Sequence, residues 1–226
     1  MAIKATTLKF LTDLEAHNDR EWFAANKDRY LAAVEDVKAL SRSFYNAWTK
    51  VEAVPPQDPD KALFRIYREV RFSKNKNPYK AWLSLEIKRA PGCMGMYLHV
   101  QPGNKSMIAT GLWEPSPAQL AAARQEIDYQ APVLRKILSG KKLSTAWGPM
   151  AGDQLKTAPK GYEKDDPNVD LLRYKQFMLL RYFKDKELSS PTLVKDFIAS
   201  FQAARPFMDF FDAPLKELAA QGKGEA

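Results

Sequence analysis

Cysteine and histidine are nearly missing from this chain. Cys93 is the one cysteine in 226 residues, which leaves no internal disulfide and no thiolate metal cluster. His17 and His99 are the two histidines, too far apart in sequence for a local transition-metal motif, so no metal and no cofactor is expected. The glycine-rich loop that wraps phosphate with backbone amides is absent, as is the G-x-S-x-G elbow of a serine hydrolase. No window approaches the roughly eighteen apolar residues of a membrane span. The opening M-A-I-K-A-T-T-L-K-F lacks the apolar stretch of a signal peptide. These absences predict a cytoplasmic protein with no membrane partner.

What is present is an excess of positive charge, 35 basic against 27 acidic residues, or +8. That excess favours anionic partners without choosing one. Hydrophobic content of 45% is enough for a buried core, and no Pro-, Gly- or Ser-rich linker divides the chain. One globular domain over residues 1–215 is expected, with a flexible tail over 216–226. The oligomeric state is left open.

The charge concentrates in Phe64 to Lys80, F-R-I-Y-R-E-V-R-F-S-K-N-K-N-P-Y-K, where six cations meet the single acid Glu69. Three arginines among Phe, Ile, Tyr and Val demand an anionic partner if half-buried, because a guanidinium keeps its charge. The β-branched and aromatic content predicts a strand rather than a helix. On that reading Phe64, Ile66, Arg68, Val70 and Phe72 share one face, and Arg65, Tyr67, Glu69 and Arg71 the other. Ser73 to Pro78 is turn chemistry, so a long hairpin loop follows.

Around it, Thr7 to Ala16 has helical leucine spacing, and Asn18 with Glu21 resembles a capping box opening a long helix toward Trp48. Trp82–Arg89 and Met96–Gln101 alternate as strands and Ser106–Leu112 does so less cleanly, with turns between them at Ala90-Pro91-Gly92 and Pro102-Gly103-Asn104. Connections this short predict an antiparallel meander. Ser116-Pro117-Ala118-Gln119, with Ser as N-cap, Pro at N1 and Gln at N3, opens a further helix bent near Pro132. Residues 139–167 look like loop, Val169–Tyr174 a short helix, Gln176–Phe183 a buried strand, and Ser190-Pro191 the start of the last long helix. The expected fold class is α+β: a single domain with an antiparallel β-sheet and long helices packed on one face.

Apolar residues on one side of such a sheet would gather Arg65, Tyr67, Glu69, Arg71, Trp82, Ser84, Glu86, Lys88, Tyr97, His99 and Gln101 on the other. With the basic turn Leu155 to Tyr162, that face is expected to form an anion-accepting cleft. Three readings follow. The first is a binder of, or enzyme acting on, a small phosphorylated or carboxylated ligand. Arg65, Tyr67, Arg68, Arg71, Lys74, Tyr79 and Lys80 would hold that ligand, and Glu86 or His99 would move a proton. The second is a single-stranded nucleic-acid module stacking bases on Tyr67, Trp82 and Tyr97. The third is a scaffold whose arginines are paired internally, Arg68 for instance with Glu21 or Asp19.

The strings N-x-R-E-W-F-x-x-N-K at Asn18 to Lys27, F-R-x-x-R-E-x-R-F-S-x-x-K-x-P-Y-K at Phe64 to Lys80 and L-K-x-x-P-K-G-Y at Leu155 to Tyr162 resemble a mostly bacterial family. It is known only as a domain of unknown function, number twenty-four sixty-one. Where the family often has R-D in the middle motif, this chain has Arg68-Glu69, which keeps the charge and lengthens its reach by about one methylene. The resemblance spans nearly the whole chain. It implies a cytoplasmic domain of this length and no particular activity.

Overall fold

The structure, a computed structural model, describes residues 1–90 and 93–222. It is α+β, with eight helices and four strands among the described residues. Strands β1 (Leu83–Ile87), β2 (Met96–Val100), β3 (Ser106–Leu112) and β4 (Phe177–Phe183) form one antiparallel sheet in the order β1-β2-β3-β4. Short connections make neighbours of β1, β2 and β3, as the meander requires, and β4 joins β3 after the long excursion of residues 113–176. No helix among the described residues is long and apolar enough to cross a membrane.

Contacts group the chain into two compact units. The first comprises Met1–Ile87, Tyr97–Ile108 and Tyr182–Ile198; the second comprises Lys88–Met96, Ala109–Arg181 and Ala199–Ala226.

In the first unit, α1 (Ala5–Ala16), α2 (Arg20–Ala25) and α3 (Lys27–Trp48) precede the sheet. The apolar stripe of α3, with Val37, Leu40, Phe44 and Trp48 buried, lies over β1, whose Leu83, Leu85 and Ile87 are buried as well. Period 3.6 against period 2 brings these side chains to one interface. Asp36, buried on α3, accepts from the Lys4 amide at 2.8 Å and the Thr7 hydroxyl at 2.7 Å. A neighbouring helix thereby supplies the acceptor that Lys4 cannot give as N-cap of α1. The expected single helix from Asn18 to Trp48 is broken at Asn26 (φ −112°, ψ 19°). Asp19, not Asn18, caps α2, accepting from the Trp22 amide at 2.8 Å.

In the second unit, α4 (Pro117–Leu138) opens on the expected Ser116–Gln119 capping box and kinks at Gln130, two residues before Pro132. Helix α5 (Lys141–Trp147) occupies part of the stretch expected as loop, and α6 (Val169–Leu172) precedes β4. After β4 come α7 (Asp185–Leu188), which belongs to the first unit, and α8 (Leu193–Ala220), which belongs to the second from Ala199 onward. Phe177 packs on Phe211 of α8 at 4.9 Å between ring centroids. Helix α8 runs five residues past the position where a flexible tail was expected to begin, and residues 223–226 lie outside the described chain. Two residues of the expected Ala90-Pro91-Gly92 turn lie outside it too.

The fifth expected strand, Phe64 to Phe72, does not form. Leu63 makes one isolated bridge to Leu85, and Tyr67 another to Tyr79. Pairing Leu63 with Leu85 sets Phe64 opposite Ser84, one residue out of the expected register. The slip turns Phe64 toward Tyr97, 6.2 Å between centroids, but it does not carry along the segment: Ile66 is buried, and Arg65, Tyr67, Glu69 and Arg71 are exposed as the expected faces have them. Beyond Leu63 the chain pairs with its own returning arm, Tyr67 with Tyr79, and turns through Val70 to Ser73, where Phe72 is 95% exposed.

Candidate functional site

Because Arg65 and Arg71 are exposed, they do not demand the partners that half-burial would require. Arg71 is bound by its neighbour Glu69, Nε to Oε1 at 3.0 Å and Nη2 to Oε2 at 3.1 Å. That contact, together with the Arg71 amide, holds the Glu69 carboxyl below its usual range. Arg68, half-buried, donates among the described residues to the Asn77 carbonyl, at 3.5 Å. No ion pair joins it to Glu21 or Asp19 among the described residues. Arg65 is exposed and has no acid within ion-pair distance among the described residues.

Lys80 donates to the Arg65 carbonyl at 3.0 Å. Burial lowers the Lys80 pKa and the Arg65 charge lowers it further, so the two cations stand close enough to repel. Lys76 is spent on the Val70 and Arg71 carbonyls, at 3.0 and 3.4 Å, and Lys74 is exposed.

Tyr79 anchors the returning arm of the hairpin. It is buried, stacks on Phe23 at 4.0 Å between centroids with 15° between planes, and leans on Tyr67 at 5.5 Å. The Asn18 side chain completes its backbone pairing, donating to the Tyr79 carbonyl and accepting from its amide, both at 3.0 Å. An amide side chain has one donor and one acceptor in the geometry of a peptide, so Asn18 serves as a single-residue strand. The N-x-R-E-W-F string and the P-Y-K end of the hairpin are one assembly. Tyr67 itself is 57% exposed.

On the adjoining face of β1 and β2, polar side chains form a chain. The Tyr97 hydroxyl lies 3.1 Å from His99 Nδ1, and His99 Nε2 lies 2.8 Å from Gln101 Oε1. The acceptor character of Oε1 puts the proton on Nε2, so Nδ1 accepts from Tyr97. Burial lowers the His99 pKa, against the Gln101 contact. Burial raises that of Tyr97, against a hydrogen bond with Ser84 and with help from the Glu86 charge. Trp82 stacks on His99 at 5.4 Å. Glu86 therefore acts on Tyr97, while both nitrogens of His99 are already occupied.

The Leu155 to Tyr162 turn belongs to the second unit. A buried cluster there was not expected at all: Arg89 binds Asp212 at 2.5 Å and Asp209 at 2.8 Å, and Asp212 also accepts from the Met94 amide at 2.7 Å. Asp212 pairs with Arg89 across more than a hundred residues, and only the inward position of Arg89 at the end of an alternating strand hinted at it. No group of three or more metal-ligating side chains occurs among the described residues.

Together these features define an α+β protein with an antiparallel meander and, at its first strand, an exposed hairpin rich in cations and aromatics. The chain belongs to the family described as a conserved hypothetical protein (DUF2461), whose model matches residues 6–210 and so takes in all three motifs. No curated protein and no solved structure matches it.

Proposed function

We propose that the hairpin and the adjoining face of β1 and β2 bind a small phosphorylated or carboxylated ligand. The supporting observation is the pairing of Arg65 with Lys80, two cations held together with no acid bridging them among the described residues. An anion between them relieves their repulsion and restores the proton affinity that Lys80 loses to burial. Binding is favoured over proton transfer, because neither nitrogen of His99 is free to exchange with a ligand in this arrangement. The test is calorimetric titration with inorganic phosphate. Arg65→Ala and Lys80→Gln should each weaken binding at least about tenfold, the worth of one charge-assisted hydrogen bond. Unchanged affinity in both variants refutes the reading.

One observation favours a second reading, a single-stranded nucleic acid. Phe72 at 95%, Tyr67 at 57% and Phe64 at 45% exposure stand among Arg65, Arg71 and Lys74. Exposed rings between cations suit base stacking with phosphate contact. Salt separates the two. Contact with three or more phosphates gives a log–log slope steeper than about −2, whereas a single anion gives a slope near −1.

A further inference from the structure

On the outward side of β1 and β2, all within the first unit, four rings stand in contact one after another. Phe64 meets Tyr97 at 6.2 Å between centroids, Tyr97 meets His99 at 6.1 Å, and His99 stacks on Trp82 at 5.4 Å with 29° between planes. Period-two alternation sets Trp82 and Ser84 on one side of their segment, and Tyr97 and His99 on one side of β2. Phe64 joins them because its amide donates to the Ser84 carbonyl at 2.9 Å. Phe64 is 45% exposed and the other three rings are half-buried, so the cluster keeps part of its surface in water.

Each end of this run of rings leads to a cation. Arg65 follows Phe64 directly, and Lys80 precedes Trp82 by two residues, a stretch of chain that spans at most about 7 Å. The Lys80 ammonium ties the two ends together by donating to the Arg65 carbonyl at 3.0 Å. Along β1 in the other direction, Glu86 lies half-buried on the same side as Ser84 and is in no ion pair among the described residues. Charge is therefore graded across the cluster, with cations at one end and a carboxylate at the other.

We infer that the rings of Phe64, Tyr97, His99 and Trp82, with Arg65 and Lys80 beside them, take a nucleoside monophosphate: the base stacks on the rings and the phosphate meets the two cations. The inference rests on the anion-binding reading above and names the class of its ligand. A bare sugar phosphate would need donors and acceptors along its length, whereas both nitrogens of His99 are already committed to Tyr97 and Gln101. What the cluster offers is ring surface, which any base can use. The carboxylate of Glu86 repels further phosphates beyond the first, so one nucleotide suits the cluster better than a strand.

The test is calorimetric titration of the full chain with adenosine monophosphate, adenosine and inorganic phosphate at one ionic strength. Adenosine monophosphate should bind at least about fivefold more tightly than phosphate, the least that stacking one base contributes, and more tightly than adenosine. Phe64→Leu, at a half-exposed position, and Trp82→Leu should each bring the ratio of nucleotide to phosphate affinity down toward one. Phosphate binding with no gain from the nucleoside overturns the inference and leaves the anion-binding reading standing; if none of the three binds, both fall. Native ratios in both variants overturn it as well, as does adenosine binding as tightly as the nucleotide. Tighter binding of oligoadenylate than of the monophosphate overturns it in favour of a strand.

Discussion

Asn18 is the residue whose removal most directly tests how the hairpin is held. Its amide donates to and accepts from the backbone of Tyr79, each contact 3.0 Å and partly buried. Truncation by Asn18→Ala removes both bonds and leaves an N–H and a carbonyl without partners beside the Phe23–Tyr79 stack. At about 1 kcal/mol per hydrogen bond, with a further penalty for unsatisfied backbone, the expected loss is about 2–3 kcal/mol. Asp19→Ala removes a helix cap and should cost about 1 kcal/mol. Were Asn18 the cap, as its sequence position beside Glu21 suggests, the order would be reversed. The assay is urea denaturation of both variants, with amide hydrogen exchange at Tyr79 as the local measure. In Asn18→Ala the Tyr79 amide should exchange faster than in Asp19→Ala. Equal or inverted costs, or unchanged exchange at Tyr79, would refute the account of this contact.

Asp212→Ala should cost about 3–5 kcal/mol by denaturation, because it removes the buried carboxylate that faces Arg89 and the acceptor of the Met94 amide. Asp209→Ala, removing the half-exposed partner, should cost under about 1 kcal/mol. Gly111 has φ +139°, and a Cβ there would lie 2.1 Å from the Phe177 carbonyl, so Gly111→Ala should cost at least about 2 kcal/mol, read as a lowered Tm. His99 has a folded pKa below the 6.5 of the free side chain, chiefly through burial. Its contribution is complete above that unfolded value and is lost as pH falls from there through the lower folded value, since the unfolded chain binds the proton first. Stability measured from pH 8 down to pH 5 should fall less steeply in His99→Gln than in the native protein; an identical slope would exclude His99 as the cause.

The elements legible in the sequence are those whose cause is local. The stripe of α3, the capping box of α4, its kink near Pro132, the alternation of β1 and β2 and the apolar run of β4 depend on residues within a turn or two of one another. The break at Asn26 and the short helix α5 escaped because their local signals are weak against the tertiary contacts around them.

Pairing over long separations was decided only by the fold. Phe64 to Phe72 has the composition of a strand, yet the choice between Leu63 and Phe64 as the partner of Leu85 belongs to the packed sheet. That one-residue choice turned Phe64 outward, whereas Arg65 and Arg71 stand on the exposed side that the strand reading gave them. Composition thus located the cations and aromatics of the hairpin, whereas tertiary structure determined which of them have partners. Asn18 with Tyr79, Arg89 with Asp212 and Arg124 with the carbonyls near β4 each join residues that no sequence window contains together. A hydrogen bond depends on distance and direction in space, and chain position alone specifies neither.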